Sequence, residues 1–242
     1  MNKNQIIEDY QKHSRISSFL IRILIFVIFW VVALAAIIAS LGLHIDWRHF
    51  RIQETGIVYL SSSIGELEAA VKVDGLSDDR LPASFTKMPE SNYSAEVKKP
   101  GFVTWNKNFE VDSSRVSAWE NIVLIKKDIT NRPATVEETD QLNRQIDEPL
   151  DKTIIIKNNE LWVEKVLITR FSDNITNAIW YTDGAHIVYQ IKNKIKIIEE
   201  DGKNETNLVS LSSDAPVTFR LLSRGQELLY QDGDQVLVAE IY

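Results

Sequence analysis

From Ile23 to Leu43 the chain runs for 21 residues without a charge, ILIFVIFWVVALAAIIASLGL. At about 1.5 Å per helical residue, that run can cross the ~30 Å hydrocarbon core of a bilayer. A water-facing helix is a poor alternative, because Phe26, Val27, Ile28, Phe29, Trp30, Val31 and Val32 leave no polar face. A cleaved signal peptide competes with a retained anchor, since Ala33, Ala35 and Ala36 supply small residues, but its apolar region should span only about 7 to 15 residues. Lys3, Lys12, Arg15 and Arg22 precede the run, and only Arg48 and Arg51 follow it closely, so the N-terminus is expected in the cytoplasm. His44, Trp47, His49 and Phe50 then fall at the outer interface, where amphipathic rings settle. The expected organisation is a cytoplasmic tail over 1–18, a transmembrane signal anchor over 19–43 and an exported remainder.

The balance of 27 basic against 34 acidic residues, a net charge of −7, provides no positive field for a phosphate backbone, so nucleic acid is not an expected partner. There is no cysteine, which removes disulfides, thiolate catalysis and thiolate-held metals. With 44% apolar residues the exported part can still bury real cores through sheet packing.

Past Gly56 the apolar pattern turns to short runs of period two, as half-buried strands require. Ile57 and Tyr59 alternate with Val58 and Leu60, and Ala69, Val71 and Val73 with Ala70 and Lys72. Tyr93, Ala95 and Val97 do the same. Asp74-Gly75 and Pro100-Gly101 supply turns, and Glu120 to Ile125 is expected as a closing strand. The pattern predicts a small β-sandwich over 52–128.

The succession Gly56-Ile-Val-Tyr-Leu-Ser-Ser, Ala-Val-Lys-Val-Asp-Gly75, Leu81-Pro82 and Tyr93-Ser-Ala-Glu-Val-Lys-Lys-Pro-Gly101-Phe-Val-Thr-Trp105 resembles the PEGA domain. Ser63-Ile-Gly-Glu-Leu-Glu-Ala69 stands where that family carries Pro-Glu-Gly-Ala. The resemblance implies a surface-exposed β-module of a bacterial or archaeal envelope protein, with no catalytic residue to carry over. Phe102 and Trp105 are expected chiefly as core aromatics, with a ligand-contacting surface as the other reading.

Between 129 and 151 the apolar content falls, and this stretch reads as a linker. Within it, Pro133 followed by Thr135-Val-Glu-Glu138 has the form of a capping box opening a short helix through Val136, Leu142 and Ile146. After it, Gly184, Tyr189, Ile195 and Ile197 recur as Gly225, Tyr230, Val236 and Val238, each shifted by 41 residues. A period near 40 built of strands and glycine turns is the pattern of propeller blades, so 152–242 is expected to form propeller-like β repeats. Leu167-Ile-Thr-Arg-Phe-Ser172 and Asn177-Ala-Ile-Trp-Tyr181 resemble the propeller-like region that follows a PEGA module in larger bacterial envelope proteins. Closed propellers need about four to eight blades, so so few repeats must stop early. Their exposed ends should be capped by the first module or another chain, and the last strand should return to Ile154–Ile156 or pair with a second molecule.

The fold class is therefore an all-β ectodomain, a small β-sandwich plus incomplete propeller-like repeats, after one N-terminal transmembrane helix. No Gly-x-Ser-x-Gly elbow or phosphate-cradling glycine loop is present, and His186 lies in an alternating strand where a sheet-face role fits better than that of a catalytic base. Asp201-Gly-Lys-Asn204 and Asp232-Gly-Asp234 read as hairpin turns before calcium loops. No catalytic, cofactor or metal residue is expected. The candidate surface or ligand contacts are Phe102, Trp105, Trp180 and Tyr181. The function expected is a membrane-anchored, non-catalytic cell-envelope binding or scaffold protein, with the bilayer, an envelope polymer or protein and a second copy of the chain as partners. The alternative is an envelope hydrolase, or a regulatory subunit of one, acting on cell-wall or surface glycans.

Overall fold

The computed structural model describes residues 20–37, 43–46, 51–63, 68–76, 78–142 and 152–242. Lys3, Lys12, Arg15, Trp47, His49, Phe50 and Ile146 lie outside them. The protein is one apolar helix followed by β-structure in several sheets. Helix α1 spans Leu20–Ile37, 18 residues and about 27 Å at the helical rise, and its large apolar side chains are exposed. The end of the apolar run differs from expectation. Leu43, read as the last anchor residue, opens strand β1 (Leu43–Asp46), where β2 (Arg51–Leu60) satisfies its backbone in an antiparallel ladder.

The next strands are β3 (Ala70–Val73), β4 (Asp79–Arg80), β5 (Ala83–Pro89), β6 (Ser91–Lys98), β7 (Trp105–Val111) and β8 (Val116–Trp119). They form two four-stranded sheets, one ordered β1-β2-β5 with β8 also on β2, the other β4-β3-β6-β7. Alternation sorts their side chains: Trp105, Lys107, Phe109 and Val111 of β7 are buried, and the residues between them are exposed. The expected strand from Glu120 to Ile125 is absent. Ile122–Ile125 is a buried connector instead, and Val123 and Ile125 enter the core of the repeats.

Two compact units divide the described chain. One takes in the chain as far as Val58 with Phe85–Ser91 and Val111–Ser117; the other comprises Tyr59–Ser84, Asn92–Glu110 and Ala118–Tyr242. The second unit holds the repeats. Strand β9 (Thr130–Pro133) and helix α2 (Val136–Leu142) come first, then β10 (Ile154–Lys157), β11 (Glu160–Val163) and β12 (Val166–Arg170) as a three-stranded sheet. Strands β13 (Ile175–Trp180), β14 (His186–Ile191), β15 (Lys194–Glu199) and β16 (Thr206–Ser210) make an antiparallel meander. The final sheet contains β17 (Phe219–Leu222), β18 (Glu227–Asp232) and β19 (Gln235–Glu240), and its fourth strand is β9.

These three sheets share two cores. Leu161 and Val163 pack with Ile187, Tyr189 and Ile198, and on the other side Val188, Ile195 and Ile197 pack with Phe219, Leu228 and Tyr230. The middle sheet therefore buries both faces, which explains the unbroken burial from His186 to Gln190 on β14.

The far face of the last sheet is covered from within the chain. Leu142 of α2 packs on Leu229 and Val238, with Ala134, Leu222 and Val236 around them. The stretch read as a linker thus contributes both the last strand and its cap. The C-terminal strand pairs with Thr130–Pro133, Ala239 opposite Asn131, and not with Ile154–Ile156, which belong to the β10–β11 hairpin.

The capping box is present: Thr135 N–H donates to Glu138 Oε2 at 2.8 Å, and Glu138 N–H donates to Thr135 Oγ1 at 3.2 Å. Arg132 of β9 donates two hydrogen bonds to the same carboxylate, at 2.8 and 2.7 Å, and a third to Glu227 at 3.1 Å. The Arg132 bonds, then the Thr135 amide, hold the Glu138 carboxyl down at about 2, from an ordinary 4.5. A lowered folded-state value stabilises above the ordinary value, and that gain is lost as pH falls towards about 2. Glu138→Gln should therefore cost about 1 kcal/mol at pH 6, the size of a well-formed surface ion pair. The gap between variant and parent should narrow by pH 3 in urea unfolding, and a gap independent of pH would contradict this role.

Candidate functional site

Strand β7 brings Trp105 and Lys107, two residues apart, to one buried face. Opposite them β15 ends at Glu199 and the chain turns tightly through Asp201, Gly202 and Asn204. Gly202 has φ +79°, and a Cβ there would meet the Ile168 carbonyl at 2.8 Å, so the turn needs glycine twice over. Glu199, Asp201 and Asn204 meet the β7 side chains here. Trp105 Nε1–H donates to Glu199 Oε1 at 2.6 Å, Asn204 Nδ2 donates to the same oxygen at 2.7 Å, and Lys107 Nζ donates to Glu199 Oε2 and, at 2.6 Å, to Asp201 Oδ2.

Burial works against the Lys107 charge, but the hydrogen bonds it donates to Asp201 and Glu199 and the field of those carboxylates more than offset it, so its pKa is raised. Burial likewise opposes the Asp201 charge, and the Lys107 bond prevails, lowering its pKa. The ammonium is locked in its charged state, so it serves as a clamp between elements more than 90 residues apart and is a poor proton shuttle.

Beside this cluster lies His186 at the start of β14. Asp183 Oδ1 accepts the backbone N–H of Ala185 and His186 at 2.9 and 3.1 Å, and its Oδ2 meets His186 Nδ1 at 2.7 Å. Ser63 Oγ donates to the same Oδ2 at 3.4 Å. The serine proton is thus spent on the carboxylate and not on the imidazole, unlike the nucleophile–base pairing of acyl transfer. Trp105, Lys107, Trp119, Glu120, His186 and Glu199, with Asp201, line a cavity of about 210 Å³.

Of the four aromatic residues singled out in the sequence, only Trp105 reaches this cavity, as part of its wall. Phe102 is half-buried, edge-on to Tyr242 at 5.8 Å with Lys99 Nζ 4.9 Å from its ring centre. Trp180 is buried between the first two sheets of repeats, and its Nε1–H donates to the Lys152 carbonyl at 2.9 Å. Tyr181 is fully buried and donates to the Gly225 carbonyl at 2.8 Å. Gly225 takes φ +89°, and a Cβ there would come within 2.6 Å of the Tyr181 ring. Trp180 and Tyr181 are therefore packing residues. The sequence reading missed Lys107, Glu199 and Asp201 as one cluster. The inward register of Lys107, two residues after Trp105, was the signal available. Among the described residues, no three histidine, aspartate or glutamate side chains are grouped to hold a metal ion.

No family model and no curated protein matches this chain.

Proposed function

We propose that this chain is a membrane-anchored, non-catalytic cell-envelope binding or scaffold protein, with α1 in the bilayer, the N-terminus in the cytoplasm and the β-structure exported. The observation that carries this reading is α1, a charge-poor helix long and apolar enough to cross a membrane, followed among the described residues by sheets, the short α2 and one 3₁₀ turn. The basic residues ahead of the apolar run support the orientation. The resemblance of the first module to PEGA domains is part of the same proposal. Gly75 and Gly101 at φ +77° and +82° in its two turns, and the β3–β6 pairing, support it.

Protease added to intact cells carrying the full chain should release a fragment containing the C-terminus. Protection of that fragment until the cells are lysed would overturn the orientation.

A further inference from the structure

The anchor leaves little slack between the bilayer and the first sheet. Arg22 is the last charge ahead of the apolar run, so the hydrocarbon layer begins near Ile23. From there to Ile37 helix α1 rises about 21 Å, which leaves about 9 Å of a ~30 Å core to cross before Leu43. Six peptide steps separate Ile37 from Leu43, and they reach about 22 Å at full extension. Strand β1 therefore starts within about 13 Å of the hydrocarbon edge, where the headgroup layer alone is roughly 5–8 Å deep.

The β1–β2 register ties that position to an exposed part of β2. Leu43 stands opposite Glu54, and Ile57 is three residues further along β2, at most about 16 Å from Leu43. Ile57 N–H donates to the Arg115 carbonyl at 2.9 Å and Ser61 N–H to the Trp119 carbonyl at 2.8 Å, so β8 runs parallel to β2 and sets Val116 beside Ile57. Both side chains are exposed, Ile57 at 37% and Val116 at 64%, whereas Val58 is fully buried. The side chain of Arg115 next to them is 76% exposed, and its Nη1 bond to Asp112 at 3.1 Å is a surface pair of small worth that engages one of five donors.

We infer that Ile57, Val116 and Arg115 form a second contact with the bilayer that holds α1, the two apolar side chains among the phospholipid headgroups and the guanidinium on their phosphates. Arginine suits that layer, because its stem lies along apolar groups while its planar head meets a phosphodiester. Two apolar side chains are too few for a stable protein interface of about 800 Å² a side. They suffice for a membrane, since the anchor already holds them there at high effective concentration. The contact presupposes the proposed anchoring by α1 and export of the β-structure, and it sets how the first sheet lies against the membrane.

The chain has no cysteine, so Val116→Cys gives a single attachment point for an environment-sensitive NBD label. The labelled full chain is reconstituted in phosphatidylcholine–phosphatidylglycerol nanodiscs, with and without a lipid that carries a nitroxide on its headgroup. The nitroxide lipid should reduce the emission about twofold or more, and iodide in solution should quench the label several-fold less than it quenches free dye. Arg115→Glu in the same background sets a carboxylate against the phosphates and should lower the nitroxide quenching about twofold while leaving the thermal transition in place. A label that iodide reaches freely and the nitroxide lipid does not would overturn the inference. So would one shielded from both, which marks a contact with a second copy, or quenching that Arg115→Glu leaves unchanged. Phe29→Cys, labelled alike and probed with a nitroxide deep in the acyl chains, separates this contact from the anchor. Quenching at Phe29 without quenching at Val116 strikes the second contact alone, and no quenching at Phe29 removes both.

Discussion

Lys107→Met should lower the unfolding free energy by about 3 kcal/mol or more, because it leaves the Glu199 carboxylate buried without its cation. Both side chains of the pair are about nine-tenths covered, whereas that of Asp201 is 42% exposed. Asp201 can therefore turn to water, and Glu199 cannot. Glu199 would keep the bonds from Trp105 and Asn204, which places the loss towards the lower end of the range of about 3–5 kcal/mol for a broken buried pair. Removing both charges, as Lys107→Met with Glu199→Gln, should recover much of the deficit, since the neutral amide oxygen still accepts from the indole. Urea unfolding of the four proteins in a double-mutant cycle measures the coupling directly. A loss below about 1 kcal/mol for Lys107→Met would mean that water in the neighbouring cavity screens the pair as it would on an open surface.

The parts of this protein that could be read from the sequence are those whose signal is local. The 41-residue shift finds equivalent strands correctly: Tyr189 and Tyr230 lie on β14 and β18, and Ile195 and Ile197 on β15 answer to Val236 and Val238 on β19. The Thr135–Glu138 capping box likewise depends only on residues three apart. Strand β9 gave no such signal. Its four residues, Thr-Asn-Arg-Pro, are polar, all exposed and end in proline; they are a strand because the free edge of β19 offers a ladder, more than 100 residues away in the chain. Ile122–Ile125 failed in the opposite sense. Its apolar run suggested a strand, but Val123 and Ile125 are buried by packing on the repeats and not by a ladder, and run length alone does not tell the two apart. The Lys107–Glu199–Asp201 cluster was hidden for the same reason as β9: its members meet only after the sheets have formed.

Deleting residues 235–242 should abolish the cooperative unfolding of the repeats. Strand β19 is an inner strand, paired along its length with β18 on one side and β9 on the other. Its loss removes both ladders at once, leaves β9 without a partner strand and leaves α2 only Leu229 and Leu222 to pack on. Val238 and Ile241 are completely buried, and at roughly 1.5–3 kcal/mol for each such side chain their removal alone costs about 3–6 kcal/mol. Against a typical domain stability of about 5–15 kcal/mol, that leaves little before the lost ladders and the exposed Phe219, Leu228 and Tyr230 are counted. The damage should spread to the connector as well, because Lys126 N–H donates to the Ile241 carbonyl at 3.0 Å, and Val123 and Ile125 share the core that Ile241 completes. Calorimetry of the full chain in detergent should show the main transition lost or broadened, and limited proteolysis should cut first between 130 and 142. Arg132→Met, which loosens β9 and α2 but leaves β19 in place, should shift that transition by only a few degrees. A truncated chain that melts with unchanged cooperativity would show that β19 completes nothing and that the last sheet stands on β17 and β18 alone.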